Sequence, residues 1–369
     1  MKLIVSRKDL QDAVSKVYNA VPPKAQTPIL NGILFKTTDN AVLNSVELQA
    51  TDFSISIKAR IPAEVEIAGS AVIGGKKLAE ILPKLSGEIV TLETVDNQII
   101  LTNDASKFEL YTLDAQDFPE IVEPEVEAQY LLKSEEIKQL IRHTSFAVAG
   151  SSDGRAIFQG VQMTFGGHNL QAVATNTHRL AVDEVELDEE TSGSVSIIIP
   201  ANALNIIARI LPEVDKSCEL KFNDKHFSIT AGNFNLTTRL IDGQFPPIDA
   251  LLKVESKYSG SVNLHDLKAT LGRVKIISKE NEYNTVHLKF DDEGLEMSAE
   301  SFNSGKVVEH LNSQGKGSAT VALNADYLSD ILKATAAEEL KFVISEPLKP
   351  ALFYGEGEFK NIITPIRAV

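Results

Sequence analysis

His178 and Arg179 stand side by side at the centre of the chain, in the stretch Ala174 to Val182 that reads Ala, Thr, Asn, Thr, His, Arg, Leu, Ala, Val. An imidazole beside a guanidinium could move protons or hold phosphate, with Asp52 and Asp183 as carboxylate partners. General acid–base work needs a pair of groups set in a cleft, and the related stretches elsewhere in the chain lack both the His and the Arg. A binding surface and a plain strand therefore compete with catalysis here. Cys218, the one cysteine, alternates with Leu220 and Phe222 as a buried strand residue would, so it reads as a structural thiol. The 7 histidines are scattered, with no CxxC or HExxH spacing, and neither a metal nor a cofactor is expected.

The related stretches are Ala50-Thr51-Asp52 and Ala299-Glu300-Ser301. Ala50, Ala174 and Ala299 are spaced by 124 and 125 residues, close to one third of the 369-residue chain. Repeats at a fixed interval point to a triplicated domain, and the length exceeds what one core usually serves. With 43% hydrophobic and 24% charged residues, the chain is globular in composition. Met1 to Val5 lead straight into a polar segment, with no apolar run long enough for a signal peptide or membrane span, so a cytoplasmic location is expected. A formal net charge of −15 argues against a tight grip on nucleic acid.

The elements follow one order in each third. Ser6 can cap a helix whose apolar residues Leu10, Ala13, Val14, Val17 and Val21 recur every three or four positions, and Pro22 and Pro23 stop it. Strand-like runs follow at Leu30 to Phe35, Ala41 to Ala50 and Phe53 to Ile61, the last with Phe53, Ile55, Ile57, Ala59 and Ile61 on one face. A short helix spans Lys76 to Leu85, then strands cover Ile89 to Glu93, Ile99 to Thr102 and Phe108 to Leu113. In the second third, Ser134 precedes a helix with Ile137, Leu140 and Ile141, and another carries Leu204, Ile207, Ala208 and Leu211. The last third has Leu264, Leu267, Leu271 and Val274, a helix from Asn324 to Leu332, and a closing strand Asn361 to Thr364. The phrases Phe118-Pro119 and Phe245-Pro246 close the first two copies, which sets domains at 1–122, 129–248 and 249–369. Each is an α+β unit of two amphipathic helices on antiparallel strands.

The triplicated pattern, Thr27-Pro28-Ile29-Leu30, the Ala174 to Val182 stretch, the Phe-Pro domain ends and the Pro365-Ile366-Arg367 tail together resemble the bacterial DNA sliding clamp family, the beta subunit of DNA polymerase III. The resemblance covers the whole chain. It implies three clamp domains per chain, closed head to tail with a second chain into a dimeric ring around duplex DNA. The acidic net charge suits such a ring, because encirclement replaces a phosphate grip that would arrest sliding. Lys24, Lys76, Lys77, Arg142, Arg155 and Arg209 are the expected DNA-facing residues, although each could equally be an ordinary solvated side chain. Phe108 and Leu110 are expected to meet Ile276 and Ile277, which follow the first helix of the third domain, across the subunit interface.

The resemblance also implies a non-catalytic protein with a peptide pocket that takes Leu and Phe anchors. Its residues would be Phe158, Thr175, Thr177, His178, Arg179, Leu180, Pro246, Leu251, Asn324, Tyr327, Leu348, Ile363, Thr364, Pro365, Ile366 and Arg367, with the tail folded back beside His178. The ligands would be tails of the DNA polymerase III alpha subunit, the clamp loader, other polymerases and repair proteins, with no membrane partner. Three departures from the family stand out. Asn176-Thr177 replaces the common Asp-Gly, and β-branched Thr177 is not expected at positive φ. Ala250 stands where Arg is frequent, and Val369 extends the tail by one residue. A repeat scaffold that binds peptides without encircling DNA, and a hydrolase using Asp52 or Asp183, are the competing readings.

Overall fold

The computed structural model describes residues 1–25, 27–38, 44–121, 126–212, 216–254, 256–291 and 293–367. The chain forms two compact units, Met1–Glu135 with Ile206–Leu240, and Glu136–Asn205 with Ile241–Val369. Val369 and Ala41, both singled out in the sequence, lie outside the described residues.

Six α-helices occur among the described residues: α1 (Arg7–Val17), α2 (Gly75–Ile81), α3 (Ser134–Thr144), α4 (Ala201–Ile210), α5 (Leu264–Ser278) and α6 (Ala325–Ala334). Their starts follow capping chemistry. The Ser6 side chain accepts from the Asp9 amide, Asn263 from Asp266, and Asn324 from Asp326 and Tyr327, each satisfying amides that have no partner within the helix. Ser134 is the first residue of α3, and its Oγ accepts from the Lys216 amide. The apolar stripe of α1 (Leu10, Ala13, Val14, Val17) is buried, as its spacing requires.

In the first unit, one antiparallel sheet runs in the order Ala128–Lys133, Ser217–Phe222, His226–Ala231, Phe234–Arg239, Ile55–Pro62, Ser45–Thr51, Gly32–Thr38, Ser70–Gly74, Ser106–Leu113, Gln98–Asn103, Ile89–Val95, Lys2–Ser6, Glu64–Ile67. Ser106–Leu113 pairs with Ser70–Gly74 through Thr112 and Leu113, so Ser106 to Tyr111 have no partner on that edge among the described residues. Cys218 is buried in this sheet, as its alternation indicated. The second unit holds a sheet ordered Gly160–Thr175, Arg179–Pro200, Lys360–Ile363, Ala351–Tyr354, Glu339–Ile344, Tyr258–Asn263, Gln314–Lys316. It also holds a smaller sheet, Gly305–Leu311, Gly294–Ser301, Thr285–Asp291, Ala319–Asn324. Tyr258, Phe290, Phe342 and Phe353 stack through a core shared with the buried faces of α5 and α6.

Several elements differ from the sequence reading. Pro28–Asn31 is a 3-10 turn and the strand starts at Gly32, because Pro28 has no amide to give a ladder. Phe53 does not share a face with Ile55: it sits at φ 71 in the turn before that strand and is 57% exposed. Val21 and Leu211 lie just past the ends of α1 and α4, and Ile276 and Ile277 lie inside α5, which runs on to Ser278.

Candidate functional site

The central stretch folds as a tight turn between two strands. The Asn176 carboxamide oxygen accepts the His178 and Arg179 amides, the Thr175 hydroxyl donates to the Arg179 carbonyl and accepts from the Thr177 amide, and Thr177 sits at φ 76. The expectation that a β-branched residue would avoid positive φ is therefore overturned: the hydrogen bonds of Thr175 and Asn176 fix the turn on both sides and hold Thr177 there. The first copy builds the same turn, with Asp52 accepting from Ser54 and Ile55 and Thr51 taking the role of Thr175. In the third copy Ser301 accepts from Asn303, but the turn is one residue longer, since Ala299 pairs with Val307 where Ala174 pairs with Ala181.

Strand alternation sends the residues after the turn to opposite faces. Leu180 packs into a buried apolar cluster with Val173, Val182, Ile248, Leu352 and Ile362, all 8% exposed or less, bordered by the partly buried Phe245, Leu252, Val254, Val343 and Tyr354. Phe158 joins through an edge-to-face contact with Phe245 at 5.9 Å. Pro246 is exposed beside Phe245, while Leu251 (48%) and Leu348 (58%) are large apolar side chains left in water. On the other face, Arg179 donates to Asp330 Oδ2 at 2.7 Å and to the Phe146 carbonyl, and its guanidinium lies over the rings of Tyr327 at 4.5 Å and Phe146 at 5.5 Å. Asn176 Nδ2 donates to the Tyr327 hydroxyl at 3.3 Å.

The named residues thus divide. Leu180 and Phe158 belong to the patch; Arg179 and Tyr327 lie behind it, and Asn324 caps α6 and donates to the Tyr283 carbonyl. Ile363 is fully buried in the core beneath α5 and α6, opposite the face that carries Ile362. The tail continues the last strand: Thr364 donates to the His178 carbonyl at 2.9 Å, and Ile366 to the Ala322 carbonyl at 2.8 Å. Pro365 and Ile366 are half-buried, while Thr364, His178, Thr177 and Arg367 are exposed. Thr175, with its hydroxyl turned inward, is a turn residue. Val173, Ile248, Leu352, Ile362 and Asp330 were not found from sequence, where nothing shows that strands so far apart are neighbours.

The patch has an internal counterpart that is polar. Strand Ile55–Pro62 pairs with Phe234–Arg239 as Arg179–Pro200 pairs with Lys360–Ile363, and Arg239 donates to the Ser54 carbonyl as Thr364 does to His178. The positions of Leu180 and Val182 opposite Ile362 are there Ser56 and Lys58 opposite Thr237. The groove beside them, about 470 Å³, is lined by Glu47, Lys58, Arg60, Thr230 and Asn235 among others. Among the described residues, the second junction carries apolar side chains at positions where the first carries polar ones.

Sequence profiles described as the N-terminal, central and C-terminal domains of the DNA polymerase III beta subunit match residues 1–122, 131–247 and 251–367. The chain belongs to this family of sliding clamps. The beta sliding clamp of Staphylococcus epidermidis (strain ATCC 35984) is 27% identical over 380 residues, an alignment covering 100% of this chain and 99% of that one; the Staphylococcus aureus N315 clamp is also 27% identical. The crystal structure of the Bacillus subtilis DNA polymerase sliding clamp matches at 27% identity with a TM-score of 0.93, and that of Streptococcus pyogenes at 25% and 0.93, each over the full length of both chains.

Placed on this clamp, the basic residues named from sequence are exposed. Lys76 and Lys77 are on α2, Arg142 on α3 and Arg209 on α4, with Lys24 and Arg155 in loops. Lys77 pairs with Glu80 at 3.2 Å, Arg209 donates to Asn19, and Arg155 lies over Phe158 at 4.6 Å. Lys24, Lys76 and Arg142 make no ion pair among the described residues and keep their charge available. Neither carboxylate of the hydrolase reading opens on a cleft: Asp52 closes its own turn, and Asp183 is fully buried, held by His143 Nδ1 at 2.8 Å and Gln139 Nε2 at 3.0 Å. No group of three His, Cys, Asp or Glu side chains suited to a metal occurs among the described residues, and no helix is long and apolar enough to cross a membrane.

Proposed function

We propose that this clamp works as a head-to-tail homodimer of six clamp domains that encircles duplex DNA and tethers the replicative polymerase, its clamp loader and repair proteins by short Leu- and Phe-bearing peptides. The observation that carries the tethering is the Leu180 cluster, apolar at one of two equivalently built junctions and rimmed by half-buried Phe245, Leu252 and Tyr354, with the exposed Leu251 and Leu348 as further apolar side chains. Its residues do no covalent chemistry. They bind apolar anchors, while the exposed edges of the turn offer polar groups for orientation.

Internal equivalence supports the ring and gives its register. Leu113, Ile241 and Ile366 each bond to the strand that precedes a second helix, at Val72, Ile198 and Ala322. Counting back five residues gives Phe108, Leu236 and Asn361, of which the last two pair with Ile57 and Ala181. The third counterpart of Ile57 and Ala181 is Val307, on a strand that ends its sheet. Phe108 of one subunit then lies opposite Val307 of the next, Glu109 opposite Lys306 and Leu110 opposite Gly305, and two unpaired edges close each other. Ile276 (68% exposed) and half-buried Ile277 on α5, which packs behind that strand, remain the apolar backing for Phe108 and Leu110.

Encirclement needs only weak local attraction, from Lys24, Lys76 and Arg142 above all. The test is retention on DNA after loading. A ring stays on nicked circles and slides off once they are linearised, whereas a peptide scaffold that does not encircle DNA shows no such difference. Lys24→Glu with Lys76→Glu should reduce loading without changing solution mass.

A further inference from the structure

We propose that Asp330 is a positioning residue for partner binding: it acts through Arg179 to hold Leu180 and the Asn176–Arg179 turn in the binding conformation. This rests on the reading of the Leu180 patch as the peptide site.

Arg179 and Leu180 are consecutive strand residues, so whatever fixes the first on one face of the sheet fixes the direction of the second on the other. Arg179 is fixed at several points. Its guanidinium bonds Asp330 Oδ2 at 2.7 Å and the Phe146 carbonyl, and it stacks on Tyr327 and Phe146. Its side chain is 11% exposed, and its buried Nε has no partner among the described residues. A guanidinium this enclosed is not available to a peptide as a charged contact. Its role is internal.

Asp330 and Tyr327, three residues apart on α6, share one face of the helix and together hold the turn: one takes the guanidinium, and the other takes the Asn176 carboxamide at 3.3 Å while lying under the guanidinium. Asn176 in turn accepts the amides of His178 and Arg179, and the His178 carbonyl anchors Thr364 at the start of the tail. Among the described residues the carboxylate is the one anionic group bonded to Arg179, so its removal leaves a largely buried cation with neutral partners. A planar guanidinium in such a cage turns to find compensation, and the turn moves with it. A surface held in its bound shape binds more tightly than one that must be ordered by the ligand.

The measurement is a titration of a fluorescent hexapeptide, with Leu and Phe as its only apolar side chains, against the full-length clamp. Asp330→Asn should weaken binding about tenfold, and Asp330→Glu should recover most of that loss, with the mass of both unchanged and Asp330→Glu melting near the parent. In an Arg179→Gln background the further change Asp330→Asn should have no effect, since the carboxylate then has no guanidinium to hold. Equal affinity of parent and Asp330→Asn, or an undiminished effect in the Arg179→Gln background, overturns the proposal and leaves the pocket intact. Should Asp330→Asn lose its fold, Asp330→Glu and the Arg179→Gln pair still decide. A parent protein that does not bind the peptide overturns the pocket reading itself, and this proposal with it.

Discussion

Thr177 sits in the tight turn that leads into Leu180, its amide donated to the Thr175 hydroxyl. A β-branched side chain at φ 76 costs about 1–2 kcal/mol relative to right-handed backbone, and the bonds from Thr175 and Asn176 offset that cost. Glycine at this position removes the clash but loses about 0.5–1 kcal/mol of backbone entropy, so Thr177→Gly should be neutral to mildly stabilising in chemical denaturation. Thr177→Val keeps the strain, loses no glycine entropy and should not share that effect. Phe53 holds the same place in the first copy at φ 71, and Phe53→Gly should behave alike. A clear destabilisation by either glycine would show that the side chain contributes contacts that outweigh its backbone.

Among the elements, the last strand and the α5–α6 pair carry separate predictions. Strand Lys360–Ile363 joins Arg179–Pro200 to Ala351–Tyr354, and the tail beyond it is held by the amides of Thr364 and Ile366. Removing the last five residues takes away Pro365 and Ile366 but spares that strand, so the fold should survive. Peptide affinity should fall by about 2 kcal/mol, roughly 30-fold, in the same fluorescence titration. Helices α5 and α6 are tied by Lys275 to Asp326 at 2.7 Å, and the Lys275 hydrogen bond holds the Asp326 carboxyl below its ordinary range. A depressed folded pKa adds stability above the unfolded value, and that stability is lost as pH falls through the folded one. The stability gap between parent and Lys275→Met should therefore be constant above about pH 5 and close in more acid solution, as read from denaturation midpoints. A gap that widens on acidification would reverse the assignment.

At the scale of the molecule, the ring register makes a charge test possible. In the proposed register Glu109 would lie opposite Lys306 of the neighbouring subunit, and directly opposed cross-strand charges contribute about 0.2–1 kcal/mol per pair, twice in a closed dimer. Glu109→Lys places like charges across both seams and should raise the dimer dissociation constant about tenfold or more by analytical ultracentrifugation. Adding Lys306→Glu should restore it. Rescue by that partner, and not by reversal of Lys289 in the same sheet, distinguishes the register from a general effect of net charge.

Much of this protein was written in local periodicity. The heptad-like spacing in α1, the capping Ser6 before it, the alternation around Cys218, and the near-equal spacing of Ala50, Ala174 and Ala299 all depend on residues a few positions apart or on self-comparison, so the chain itself carries them. The triplicated α+β architecture was legible for that reason, and the family resemblance supplied the expected pocket; the turn beside Leu180 was not, since Thr177 was not expected at positive φ. What required the folded molecule was the pairing of strands far apart in sequence. Ile362 rather than Ile363 faces Leu180, because a shift of one residue in register exchanges the faces of a strand. Arg179, chosen for its charge, proved to be enclosed by Asp330, Tyr327 and Phe146, none of them adjacent in the chain. Side-chain type is local, but which face it serves and what it touches are set by non-local register, and only tertiary structure decides that.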